Sequence, residues 1–427
     1  MPVIQNTEAL LEARHERRRG FNLTPVSASE AAEDWRVRNG ALQHRSGGFF
    51  SVSGFRDRRD GRVHMLLYQP QGAVNGWATR WVDGRRQYLV QARAEPGNVE
   101  EVQYGPTLQS TPANYMRLHG GAASPFSEWF LTYNPSVSVL FETQQLDLGE
   151  RYALKTKRVG MIETRWDGDL PRGFHWVDPY VLGTACGLNF VLNTDCKAGI
   201  GVLPWSADPD AGELCPRSDI VRRSLRADIR AERLGVALAG AAVTPRVLDP
   251  VPLEAMDNWR VDDDGLSEVV PDQNFAVRFY RCEADAREVR SWIQPLIVCS
   301  DPGLAVLACR IRDGILEARV RIAKETGLAT GTAFGPSYLR YPGEAAETPP
   351  WLEPALATPW LDTRESDEGG RFLDHWSHYV LAMLPDDCEP PEPGVWLNIA
   401  EMKQLMMVSN ICTIQLRVMM SLFLVAP

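Results

Sequence analysis

The sequence has no CxxC pair; its eight cysteines are spread singly over 427 residues, with no even framework of spacings. That excludes a disulfide-stapled scaffold and points to reduced thiols in a cytoplasmic protein. Nor is there an apolar core where a signal peptide would carry one, because Arg14, Glu16, Arg17, Arg18 and Arg19 occupy that place. No apolar run reaches membrane length. The nearest, 402–425, is broken by Lys403, Gln404, Asn410, Gln415 and Arg417, so no membrane partner is expected and the stretch reads as a buried helix followed by a final core strand. Positive charge is also short: 45 Lys and Arg against 55 Asp and Glu give −10, which argues against a general nucleic-acid binder. An anionic ligand would need a local cationic cluster. What remains is a globular balance, 44% hydrophobic and 23% charged, on a chain long enough for two domains.

The sequence does hold an internal repeat. Trp35-Arg36-Val37 recurs as Trp259-Arg260-Val261, Phe50-Ser51-Val52 as Phe275-Ala276-Val277, and Gln69-Pro70 as Gln294-Pro295. From Asp83 to Pro112 the second copy follows 230 positions downstream without a gap: Asp83-Gly84 with Asp313-Gly314, Glu95 with Glu325, Gly97 with Gly327, Gly105-Pro106 with Gly335-Pro336. Gly149, Arg151 and Trp176 match Gly369, Arg371 and Trp396 at a spacing of 220. Tyr88, Val90 and Ala92 alternate with more polar neighbours, as do the aligned Ala318, Val320 and Ile322, so both read as period-2 strands opened by an Asp-Gly hairpin turn. A polar helix over 7–19 and a helical connector over 218–238 complete the outline. The expected organisation is an arm at 1–30, a first copy at 31–215, a connector at 216–245 and a degenerate second copy at 246–427.

Residues 91–121 read QARAEPGNVEEVQYGPTLQSTPANYMRLHGG. This run resembles the signature of the NDP-hexose 2,3-dehydratase family, as do HRSGGFFSVSGF at 44–55, QPLI at 294–297 and SDEGGRF at 366–372. The resemblance implies an α+β (mixed α/β) chain: a tandem duplication of a Nudix-like unit, with mixed β-sheets flanked by helices. It also implies a homodimer, a nucleotide-sugar substrate and no cofactor. The Nudix hydrolase metal motif is missing, which disfavours a metal-dependent diphosphate hydrolase. The implied reaction removes the C2 hydroxyl of an NDP-4-keto-6-deoxyhexose after loss of the C3 proton, which the C4 ketone acidifies. Such chemistry needs a base, an acid, a donor at the enolate and anchors for a diphosphate.

Glu95, retained as Glu325 in the second copy, is a candidate base or anchor, against the reading of a structural carboxylate. Asn98 lies in a Pro-Gly-Asn turn and serves turn chemistry as readily as a ligand. Gln103, Thr107, Gln109 and Thr111 sit at even spacing and would share one face of an extended chain. With Asn114 and Tyr115 they form a polar set that the second copy loses, which favours ligand contact in the first. Tyr115 could donate a proton, and His119, before Gly120-Gly121, could act as acid or base. Lys155, Lys157 and Arg158 form the cluster that a diphosphate would want, replaced downstream by His375, Ser377 and His378. Asn193 and Lys197 fall where the family shows Asn and Arg four apart. His375 and His378 face opposite sides of a strand without a third ligand, so no metal site is expected. Two rival readings stand beside dehydration: a repurposed enzyme for another elimination or cyclisation, and a non-catalytic scaffold partner.

Overall fold

The computed structural model describes residues 3–18, 20–118, 120, 122–241, 246–284 and 289–427. Four mixed sheets and short helices make an α+β protein. Both Asp-Gly pairs form two-residue hairpin turns with positive φ at each residue, 49° and 73° at Asp83 and Gly84, 50° and 72° at Asp313 and Gly314. This is the backbone a twisted hairpin requires. The first turn joins strands Ala73–Val82 and Arg85–Ala94, the second Gly303–Arg312 and Ile315–Ala323.

The repetition extends to hydrogen bonds. The Thr107 hydroxyl donates to Leu89 O and accepts from Ala78 N. Ser337, 230 residues on, makes the same bonds to Arg319 O and Ala308 N. One alignment drawn from the sequence fails. Tyr68 pairs with Ser51 and Val298 with Ala276, so Gln69 corresponds to Cys299 rather than to Gln294. The strands Ala276–Ala284 and Ser291–Val298 are each two residues longer than Ser51–Asp57 and Val63–Tyr68, and the shared Gln-Pro is a coincidence of spacing.

Each copy lends a strand to the other. Phe21–Val26 pairs antiparallel with Ala276–Ala284 of the second copy, and Leu248–Val251 pairs with Ser51–Asp57 of the first. The two first-copy sheets are ordered like their second-copy counterparts, with these two strands exchanged. The largest apolar cluster accordingly mixes Trp35, Phe50 and Met65 with Trp259, Phe275 and Leu416.

The C-terminal stretch forms two helices, Ile399–Met407 and Ile414–Leu422, and no final strand. Asn398 and Glu401 form a capping box on the first, and the Thr413 side chain caps the second. Every residue of Ile414–Leu422 is buried, partly against the first-copy helix Thr194–Val202, where Gly201 meets Arg417 O so closely that a Cβ would lie 2.2 Å from it. A run buried all round has no polar face to reveal its period, which is why it read as strand. The connector is likewise two helices, Asp219–Leu225 and Ala231–Gly240. No helix among the described residues is long and apolar enough to cross a membrane.

Candidate active site

A cavity of about 470 Å³ opens between the two copies, within the usual range of a small-ligand site. The first copy supplies Glu95, just past the strand Arg85–Ala94, and Gln109 on Leu108–Ser110. It also supplies Thr111 and Asn114 around the short helix Pro112–Tyr115, and Lys155 and Lys157 at the start of Thr156–Thr164. The second copy supplies Glu368, Gly370 and Arg371 from the loop ahead of Phe372–Leu373, together with Trp292 and Gln294.

The floor is a buried charge network. Asp147 Oδ2 lies 3.1 Å from Lys155 Nζ and 3.2 Å from Lys157 Nζ, and Lys157 donates to Asp195 Oδ1 at 2.7 Å. The Lys155 ammonium sits 3.8 Å from the centroid of the Tyr152 ring. Tyr152 donates its hydroxyl proton to Glu368 Oε2. Arg371 donates to Tyr152 Oη at 3.1 Å, to Glu368 Oε1 at 3.3 Å and to Gln69 Oε1 at 2.7 Å. Lys155, Lys157 and Arg371 therefore face Asp147, Asp195 and Glu368, and their charges cancel.

Burial separates the two lysines. It brings Lys155 down to about 8, with Asp147 only partly offsetting the cost. At Lys157 burial is outweighed by Asp147 and Asp195, which hold its pKa above the ordinary lysine value. At Asp147 burial is overcome by the two ammonium groups, and its carboxyl stays well below the usual range. Glu95 is 4% exposed. Its Oε1 lies 3.4 Å from Arg93 Nε, while Oε2 is buried with no hydrogen-bond partner among the described residues.

A sequence model of NDP-hexose 2,3-dehydratases matches residues 6–203 and 241–423. The chain belongs to the NDP-hexose 2,3-dehydratase family. It is 30% identical over 90% of its length to a protein of Streptomyces violaceoruber named dTDP-4-dehydro-6-deoxy-alpha-D-glucopyranose 2,3-dehydratase, of which 88% is covered. Proteins of the same name from Amycolatopsis orientalis and Saccharopolyspora spinosa are 25% and 26% identical, over 90% and 88% of this chain and 82% of each relative.

In this family member the residues singled out from sequence divide into those that line the cavity and those that do not. Glu95, Gln109, Thr111, Asn114, Lys155 and Lys157 line it. Gln103 is buried and donates to Ser366 Oγ at 2.8 Å. Thr107 holds the hairpin as described, so the evenly spaced set does not share a face. The chain changes strand partner at Thr107, from Arg85–Ala94 to Ala73–Val82. Asn98 packs on the second copy's Gly369, whose Cβ position lies 1.9 Å from Asn98 Oδ1. Asn193 caps the helix Thr194–Val202 through Cys196 N and donates to Gln109 Oε1 at 2.9 Å. Lys197 is buried against Glu365 and Cys186 O. Arg158 turns to the opposite face of its strand, toward Phe130 O and Glu142. Tyr115 is half-buried beside the cavity-lining Asn114, and His119 lies outside the described residues.

Sequence reasoning did not single out Asp147, Asp195, Tyr152, Glu368, Arg371 or Gln69 as site residues. The signal for two of them was present, since Glu368 and Arg371 sit inside the SDEGGRF motif. His375 and His378 face different carboxylates, Asp367 and Asp362. No cluster of three or more metal-binding side chains occurs among the described residues.

Proposed function

We propose that the protein removes water across C2–C3 of an NDP-4-keto-6-deoxyhexose, giving a 3,4-diketo-2,6-dideoxyhexose nucleotide. The observation that carries this reading is that one cavity is lined both by Glu95, a carboxylate with one oxygen unpartnered among the described residues, and by Lys155, whose ammonium is lowered to about 8. Glu95 Oε2 takes the C3 proton, and the electron pair moves into the C4 carbonyl as an enolate. The pair returns to form the C2–C3 double bond as the C2–O bond breaks, and Lys155 protonates the departing hydroxide to water. The product enol tautomerises to the diketone. Arg93 Nε pairs with Glu95 Oε1 and leaves the other carboxylate oxygen for this task, and Asp147 lies 3.1 Å from the Lys155 ammonium.

The floor lysines already have carboxylate partners, so the sugar belongs on the floor and the diphosphate at the mouth. There the exposed Arg45, 3.3 Å from Asp34, has donors to spare. The relatives' names favour dTDP as the nucleotide. A cytoplasmic homodimer is part of the same proposal, and light scattering should read twice the chain mass.

The test is incubation with dTDP-4-keto-6-deoxyglucose, followed by mass spectrometry and NMR of the nucleotide sugar. Loss of one water with thymidine diphosphate retained is expected. Binding by thermal shift without turnover would overturn the reading in favour of a scaffold role. The absence of both would leave another elimination or cyclisation.

A further inference from the structure

The internal symmetry gives the residues around Lys155 counterparts in the second copy, and these have changed character. Where the first copy has Gln69, Asp147 and Lys155, the second has Cys299, Asp367 and His375. His375 is fully buried, and its Nδ1 lies 2.9 Å from Asp367 Oδ2. Asp367 is fixed in turn by the hydroxyls of Ser377 at 2.9 Å and Tyr379 at 3.0 Å. His375 Nε2 and Arg151 Nε are buried and have no nitrogen or oxygen acceptor among the described residues. Both side chains lie near enough to act electrostatically on the Cys299 thiol, which is partly exposed. Burial alone would raise the pKa of that thiol, but His375 and Arg151 outweigh it and hold the value below the ordinary one. Burial pushes Cys186, Cys196, Cys215, Cys309 and Cys412 the other way. The arrangement sets a thiol beside an imidazole that a carboxylate backs, and such pairs are the reactive cysteines of proteins.

We propose that Cys299, with His375 and Asp367, forms a thiol-modification site that takes hydroperoxides and other soft electrophiles. The thiolate sulfur attacks one oxygen of the hydroperoxide, an S–O bond forms and the O–O bond breaks. Sulfur is oxidised by two electrons to a sulfenic acid, and the peroxide is reduced. The leaving hydroxide, or alkoxide from an organic peroxide, takes the proton of His375 and departs as water or alcohol. The sulfenic hydroxyl formed on Sγ donates to the deprotonated His375 Nε2 and accepts from Arg151 Nε, two buried atoms that otherwise lack partners among the described residues. The reaction is independent of the dehydration, because none of these three side chains lines the catalytic cavity.

Limiting iodoacetamide on the intact protein, followed by peptide mass spectrometry, compares Cys299 with Cys215 and Cys388, which are equally classed as partly exposed. Cys299 should alkylate at least about ten-fold faster than either. Hydrogen peroxide with dimedone should place its sulfenic adduct on Cys299. Cys299→Ser should abolish that adduct and leave dehydration unchanged. His375→Asn, with its fold verified by circular dichroism, should slow Cys299 alkylation about ten-fold. Equal rates at the three cysteines in the unaltered protein, or dimedone adducts spread among them, would overturn the proposal whether or not the His375 variant folds.

Discussion

Lys155 works as an acid only while it keeps its proton, and burial has brought that proton's pKa to about 8. Turnover should hold below pH 8 and fall about ten-fold per unit above it. Lys155→Met should remove this limb and lower kcat by roughly 10²–10⁴-fold; a variant that kept the limb would dismiss Lys155 as its source. Glu325 stands where Glu95 stands in the other copy, and its environment gives it a different duty. Gly149 N donates to its Oε2 at 3.0 Å, and burial lifts its carboxyl from the ordinary 4.5 to about 8. A carboxyl raised on folding makes the folded state bind more protons between those two values, so stability falls as pH rises through that window. Glu325→Gln should flatten the fall, gaining about 1 kcal/mol or more on the parent between pH 5 and pH 8 by urea titration. The shared carboxylate was legible in the sequence. What raises Glu325, its burial and the nearby Glu150, comes from packing that only folding brings about.

Among the elements, the turns after the paired hairpins join the copies reciprocally. Gly97 N donates to Gly369 O at 2.8 Å, and Gly327 N to Gly149 O at 2.7 Å. A Cβ on Gly97 would fall 1.5 Å from Phe372 O, and one on Gly327 1.8 Å from Tyr152 O. Backbone atoms cannot give way as side chains do, so each Gly→Ala change should cost about 1–3 kcal/mol or more by thermal unfolding. Gly97→Ala should also depress kcat, because it displaces the loop carrying Glu368 and Arg371. A Gly97→Ala variant of unaltered stability would show that the turns do not constrain one another. The hairpins themselves were legible, since Asp-Gly between alternating strands dictates a local backbone. The exchanged strands Phe21–Val26 and Leu248–Val251 were not, because a four- to six-residue strand carries no record of its partner. The same reason hid half of the cavity. Glu368 and Arg371 lie in the copy that had lost its polar set, and only the packing of the two copies brings them to Lys155 and Tyr152.

At the scale of the molecule, the exchange decides how the chain unfolds. A first copy cut at 31–215 would lack Leu248–Val251 from its sheet, and a second copy cut at 246–427 would lack Phe21–Val26. Each excised piece would expose an unpaired strand edge where its partner had been. It would also expose its share of the common apolar cluster, in which Trp35 donates its indole N–H to Ile293 O at 2.7 Å across the boundary. Two domains in one chain ordinarily unfold in separate steps, each with its own core. Here neither core closes without the other, so a single cooperative transition is expected. Calorimetric and van't Hoff enthalpies should agree, and tryptophan fluorescence and far-ultraviolet circular dichroism should give coincident urea curves. Residues 246–427 expressed alone should fail to give a cooperative transition, and adding residues 1–245 in trans should restore one. Two resolved transitions in the intact chain would mean that the exchanged strands contribute little and that each copy stands on its own.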